Sequence, residues 1–217
     1  FLASLIALSI LENKKIFLFL GILSLSILIP NQTNLNESLD ENLSVSIIQP
    51  SLDPFKKYME GSELNIEDTL INLTNDSSDA DLIIWPESPL PYLESNPRMN
   101  QLINRIEEGS TVLSGSWKYS NNKLHNAMTI FGSDQTYLKR HLVPFGEYVP
   151  FENILRGLIE FFNMPMSSLS AGDSKQGLLV FRDYKILGMI CFDIAFPLSY
   201  LDEIRDSDFI VNISNDT

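Results

Sequence analysis

From Leu43 onward, short apolar runs of strand length alternate with windows of helical periodicity, and this alternation restricts the fold more than any other feature. LSVSIIQ (43–49) alternates apolar and polar positions and stops at Pro50. ELNIEDTLINLTN (63–75) sets Leu64, Ile66, Leu70, Ile71 and Leu73 at helical spacing. DLIIW (81–85) is a short apolar strand stopped by Pro86, and NQLINRIEE (100–108) is helical. TVLSGSW (111–117), NAMTIF (126–131) and QTYLK (135–139) read as successive strands, with SNN and GSD as turn signals between them. ENILRGLIEFF (152–162) reads as a helix and SSLSAGDSK (167–175) as a polar loop. GLLVF (177–181) and KILGMIC (185–191) flank a turn at Arg182 and Asp183. PLSYLDEIRD (197–206) reads as a helix and DFIVNIS (208–214) as a last strand. Interleaved strands and helices without an internal repeat predict an α/β sandwich.

The front of the chain has a different character. FLASLIALSIL (1–11) is apolar, ENKK (12–15) is a polar break, and IFLFLGILSLSILIP (16–30) is apolar again. The second run has a core of about 14 residues, roughly 21 Å as a helix. It reaches spanning length if Lys14 and Lys15 snorkel to one interface and Asn31, Gln32 and Thr33 reach the other. A buried helical hairpin and a signal peptide are the rival readings. A second apolar run before the lysines and the lack of an A-x-A site count against the signal peptide. Residues 1–33 are therefore expected to be transmembrane segments: the end of one helix, a short turn, and a second helix. The lysines place that turn in the cytoplasm, so the body from about residue 34 faces outward, the periplasm in a Gram-negative cell. With Phe1 in front and Thr217 directly after a strand, the sequence reads as a piece of a longer protein.

Charge and rare residues narrow the chemistry. The formal net charge is −13, with 28 acidic against 15 basic residues. Such a body does not suit a nucleic-acid backbone or simple electrostatic docking on anionic lipid. The single cysteine allows no internal disulfide. Two histidines, His125 and His141, give no basis for a histidine- or cysteine-based metal site.

Three reactive side chains each follow a predicted strand: Glu87 after DLIIWP, Lys139 at the end of QTYLK, and Cys191 at the end of KILGMIC. In α/β sheets the carboxyl ends of strands are where sites are assembled. A carboxylate can take a thiol proton, a thiolate can attack a carbonyl, and an ammonium can stabilise the oxyanion that results. Spacing leaves blander readings open. Cys191 fits a small core residue, Glu87 a helix cap or loop acid, and Lys139 a surface charge. A Cys191–His141 dyad is a further alternative.

Longer stretches carry a resemblance. IIWPESPLP (83–91), YLKRHLVPFGEYVPFE (137–152), FFNMPMSSLSAG (161–172) and GMICFDIAFP (188–197) resemble the apolipoprotein N-acyltransferases, the membrane-bound branch of the nitrilase (carbon–nitrogen hydrolase) superfamily. The resemblance runs from the second apolar segment to the last residue. It implies a nitrilase-type α-β-β-α sandwich preceded by transmembrane helix segments. Residues 34–217 would be the carbon–nitrogen hydrolase domain, truncated at its C-terminal end. Carried over by position, Glu87 would be the general base, Lys139 the oxyanion-stabilising lysine and Cys191 the nucleophile. Glu147, in FGEY, matches a second glutamate that helps organise the site. Phe192 and Asp193 stand where the family commonly shows Tyr and Glu, so the hydroxyl is lost and the carboxylate is one methylene shorter. Asp193→Glu would be tolerated if the backbone there has slack.

The family further implies a ping-pong acyl transfer. A phospholipid acyl donor loads Cys191 as a thioester, and the α-amino group of a diacylglyceryl lipoprotein acceptor takes the acyl chain. No metal or organic cofactor is expected, the partner set includes the membrane and no nucleic acid, and the location is the bacterial inner membrane, multi-pass, with the domain facing the periplasm. IEFFNMPM (159–166) reads equally as core packing or as a lid that dips into the membrane. A membrane-tethered amidase, with water resolving the thioester, is the alternative.

Overall fold

The computed structural model describes residues 43–51, 57–59, 61–150 and 169–215. The expected membrane segments (1–33), the helix at 152–162 and the IEFFNMPM segment lie outside the described residues. The elements run β1 (Val45–Ile47), α1 (Ser62–Asn75), β2 (Leu82–Ile84), α2 (Pro97–Ile103), β3 (Thr111–Ser120), β4 (Lys123–Ile130) and β5 (Thr136–Leu138). They continue with β6 (Leu179–Phe181), β7 (Tyr184–Ile190), 3-10 turns at Cys191–Ala195 and Pro197–Tyr200, α3 (Leu201–Asp206) and β8 (Phe209–Ile213).

The strands form two sheets, one of order β1-β2-β3-β4-β5 and one of order β6-β7-β8. β1, β2 and β3 are parallel, and β4 and β5 continue the sheet antiparallel. In the second sheet β6 pairs antiparallel and β8 parallel with β7. β2 shows why its sequence is apolar at every position. Leu82 and Ile84 face the second sheet, in one core with Leu113, Met128, Ile186 and Met189. Ile83 and Trp85 face the other way, against Leu70 and Ile71 of α1 and Leu102 of α2. A strand buried on both faces has no polar position in its alternation. Each such side chain contributes about 1.5–3 kcal/mol on burial. The layers are thus helices, sheet, sheet, in agreement with a nitrilase-type α/β fold.

Three local differences from the expected boundaries have physical causes. α2 starts at Pro97 rather than residue 100, because the Asn96 side chain caps it by accepting the Arg98 N–H at 3.0 Å, with Pro97 in the first turn. β3 extends to Ser120, because Asn121 and Asn122 both adopt positive φ (50° and 59°) and close a two-residue hairpin. The segment 197–206 divides into a 3-10 turn and a short α-helix, with Pro197 opening the first. The two sheets approach closely at Gly188 of β7, where a Cβ would lie 3.0 Å from Met128 Sδ and 3.4 Å from Tyr137 Cβ. Among the described residues no helix is long and apolar enough to cross a membrane.

Candidate active site

Glu87 sits just beyond β2 and is placed by backbone contacts. Buried Trp85 donates its indole N–H to Thr74 Oγ1 at 2.8 Å, fixing the end of the strand. The next residues cross directly over β3 at Gly115, where a Cβ would lie 2.4 Å from Ser88 N and 2.7 Å from Glu87 Cα. A side chain at position 115 would push the glutamate away. Ser88 itself has φ +40°. Its hydroxyl donates to Asn126 Oδ1 at 3.1 Å, and Asn126 Nδ2 donates to Glu87 Oε1 at 2.6 Å.

Lys139 follows β5 and is 1% exposed. Its ammonium lies 2.7 Å from Glu147 Oε1 and 3.3 Å from Glu87 Oε1. Glu147 holds still because its Oε2 accepts the Val143 N–H at 2.8 Å. Burial pushes the Glu87 carboxyl above the ordinary value of 4.5, against the pull of Lys139 and Asn126. Burial presses Lys139 down, but Glu87, Glu147 and the nearby Cys191 together hold it above 10.5. The Cys191 sulfur therefore lies within electrostatic reach of the ammonium.

Cys191 opens the 3-10 turn after β7 with φ +48°, a left-handed conformation that costs a non-glycine residue about 1–3 kcal/mol. Asp193 holds that turn. It is fully buried, and its Oδ2 accepts the Ile190 N–H at 3.1 Å and the Tyr137 hydroxyl at 2.8 Å. Its Oδ1 accepts the His141 N–H at 2.8 Å and faces His141 Nδ1 at 3.1 Å. Tyr137 and His141 flank Lys139 two residues to either side, and Asp193 lies two residues past Cys191. One carboxylate thus locks the cysteine turn in register with the lysine strand. Since Tyr137 spends its hydrogen on Asp193, Tyr200 is the donor in their 2.9 Å contact. Burial, with Asp193 beside it, drives the Tyr137 hydroxyl far above its usual range.

All six residues singled out in the sequence fall in this region. Glu87, Lys139, Glu147 and Asp193 are tied by the bonds above. Cys191 is coupled to Lys139, and Phe192 packs edge-to-face on Phe196 at 5.1 Å beside a cavity of about 470 Å³ shared with His141. His141 is differently employed from a base on Cys191: its Nδ1 faces Asp193 and the Tyr200 hydroxyl (3.2 Å), and its ring stacks on Phe196 at 4.3 Å. Sequence reasoning missed Asn126 and Lys57. Asn126 carried little signal, since its strand also holds Lys123, His125 and Thr129; only its burial, 1% exposed, and its bond to Glu87 mark it out. Among the described residues no group of three or more His, Cys, Asp or Glu could hold a metal ion. A larger cavity of about 590 Å³ opens beside Glu87, lined by Lys57, Asn126, Glu147, Trp117 and Leu124 among others.

No family model matches the chain. It is 35% identical over 188 residues to the apolipoprotein N-acyltransferase of Pseudomonas syringae pv. tomato, covering 81% of this chain and 36% of that protein. It is 34% identical over 194 residues to the same-named protein of Vibrio cholerae, covering 82% and 38%. The chain is related in sequence to the apolipoprotein N-acyltransferases. It spans little more than a third of the length of these curated relatives. Its fold is that of carbon–nitrogen hydrolases. The enzyme of that name from Helicobacter pylori superposes with a TM-score of 0.52 at 16% identity, over 79% of this chain and 59% of the other. An N-terminal amidase with a Gln-Val peptide superposes at 0.53 and 14% identity, over 79% and 47%.

The Asp193 bonds carry an expectation of their own. Asp193→Asn keeps the volume but turns one acceptor into a donor facing N–H groups. With Cys191 as the nucleophile that the sequence resemblance implies, turnover should fall on the order of 10²-fold with little change in substrate binding, because a misplaced nucleophile is felt in the transition state. Single-turnover thioester formation checks this, and Tyr137→Phe, which removes one of the donors, should show a smaller loss of the same kind. Asp193→Glu should fail as well, since a fully buried carboxylate with donors on both oxygens leaves no room for another methylene.

Proposed function

We propose that this chain is the catalytic portion of a membrane enzyme that moves an acyl chain from a phospholipid, through a thioester on Cys191, to the α-amino group of a diacylglyceryl lipoprotein. The observation that carries the reading is the Lys139 ammonium held between Glu87 and Glu147 and coupled to Cys191, in a chain related to this family. Glu87 takes the thiol proton, and the thiolate attacks the ester carbonyl. Lys139 and the N–H of Phe192 face the oxyanion. Glu87 then returns its proton to the departing lysophospholipid. The left-handed turn at Cys191 turns the residue out of its strand, as strand-to-helix nucleophile turns do. Residues 1–33 would supply transmembrane segments and 34–217 the hydrolase-like domain. This reading places the domain on the periplasmic face of a bacterial inner membrane, where both lipid substrates lie.

The experiment is a competition on the full-length protein between a diacylglyceryl-cysteine lipopeptide and water, with a labelled phospholipid donor. Label should appear in the lipopeptide amide; label released wholly as free fatty acid would mean an amidase or esterase instead. The acid limb of thioester formation offers a second check. Glu87 must be ionised to act as base, and its carboxyl is held above 4.5 by burial, so activity should fall away at a pH above that of an ordinary glutamate. Asn126 donates to the ionised form and pulls the pKa down. Asn126→Leu should therefore move the acid limb to higher pH, read in a pH profile of thioester formation.

A further inference from the structure

We propose that Lys57 is the base that takes the proton of the incoming ammonium acceptor in the second half of the reaction. The inference rests on the thioester reading of Cys191 and adds a residue to it. An acceptor entering as R–NH₃⁺ has three N–H bonds, and the amide product keeps one. Two protons must leave. When the amine nitrogen forms its bond to the thioester carbonyl carbon and the C–S bond breaks, one proton passes by way of Glu87 to the departing sulfur and restores the thiol. The other has to leave before attack, because an ammonium has no lone pair, and Glu87 must remain ionised to take the proton that the amine loses as it bonds to the carbonyl carbon.

Lys139 cannot take it. Its ammonium is clamped by carboxylates at 2.7 and 3.3 Å and its pKa is raised, so it stays protonated. Lys57 stands in the opposite environment. It is 6% exposed, lines the 590 Å³ cavity with Glu87, Asn126 and Glu147, and its ammonium donates to the neutral carbonyl of Ser88. Among the described residues it makes no ion pair within 4 Å, an uncommon state for a lysine buried this far. Burial lowers its pKa to about 8, with the Glu87 charge opposing. That is close to an ordinary α-amino group, about 7.7–8.0, so proton exchange between the two is nearly balanced. Two lysines beside one site, with environments that push their affinities apart, divide the work into a fixed charge and a proton carrier. In the step, R–NH₃⁺ gives a proton to neutral Lys57 Nζ, which becomes an ammonium. The free amine attacks, and Lys57 later loses the proton to water.

The test uses two substitutions and two acceptors on the full-length protein with Cys191 preloaded by phospholipid. Lys57→Arg keeps the positive charge and the hydrogen bond to Ser88 but cannot become neutral; Lys57→Met removes both. Transfer to a lipopeptide acceptor should slow about 10²-fold in either variant. Transfer to hydroxylamine, already neutral at neutral pH, should stay within about 2-fold of wild type. Wild-type transfer to the lipopeptide by Lys57→Arg would overturn the assignment and leave Lys57 as a charge or a clamp. Equal slowing with both acceptors would overturn it too, as would failure of Lys57→Arg to form the thioester. If the wild-type protein forms no thioester, the proposed function itself has failed, a result distinct from these.

Discussion

Under the proposed function, Cys191→Ala and Cys191→Ser should remove acyl transfer altogether in the full-length protein, with no measurable turnover above the uncatalysed rate. In the proposed mechanism the sulfur forms the covalent intermediate, so nothing else in the site can replace it. In that mechanism Asn126, Glu147 and Lys139 position or stabilise charge and carry no acyl group. The hydroxyl of a serine is a far weaker nucleophile at neutral pH than a thiol whose proton a carboxylate can take. Mass spectrometry of wild-type protein after incubation with phospholipid alone should show a mass increase of one acyl chain on the peptide carrying Cys191. That increase should vanish on treatment with neutral hydroxylamine. Turnover by Cys191→Ala would remove the cysteine from the chemistry and return it to the role of a core residue.

Lys139→Arg should be nearly as damaging although the charge is kept. The ammonium is 1% exposed and fits between Glu87 and Glu147. A guanidinium is planar and larger, and it cannot occupy a point between two fixed carboxylates. Losing one oxyanion donor costs on the order of 10²–10³-fold, and the displacement of Glu87 adds to that. Lys139→Met has a further consequence. It leaves two partly buried carboxylates without the ammonium between them, which destabilises the fold. With the ammonium gone, nothing as close opposes the burial that already raises Glu87, and its carboxyl rises further. A carboxyl raised in the folded state favours folding at low pH and opposes it as pH increases through that raised value. Thermal melts of Lys139→Met should therefore move down from wild type by more at pH 8 than at pH 5. Near-wild-type activity in Lys139→Arg would make Lys139 a structural charge.

Much of this arrangement was legible in the sequence, for identifiable reasons. β2 and the position of Glu87 followed from an all-apolar run ended by proline, a pattern that depends on neighbouring residues alone. The helical stripe of α1 and the hairpin of β3 and β4 were visible in the same way. The turn at Cys191 was not. It depends on Asp193 meeting Tyr137 and His141, partners 56 and 52 residues away, and no local pattern announces such a meeting. Asp193 therefore looked like a shortened version of a family glutamate rather than the tie between two strands of different sheets. Gly115 lay inside TVLSGSW as an ordinary strand glycine, and only the crossing of Glu87 above it explains the missing side chain. Lys57 gave no signal in FKKY, because burial of one lysine of a pair is decided by where the chain passes.

Glu87 and Lys139 hang from one sheet and Cys191 from the other, and the two sheets meet at Gly188 against Met128 and Tyr137. The separation between acid and thiol is thus measured out by the thickness of the apolar filling, as the jaws of a caliper are set by what lies between them. Swelling that filling by a methyl group would open the gap at the reacting atoms although no catalytic side chain had been replaced. Defects of this origin would surface as slow chemistry in a folded protein, and they would map to positions with no reactive group of their own.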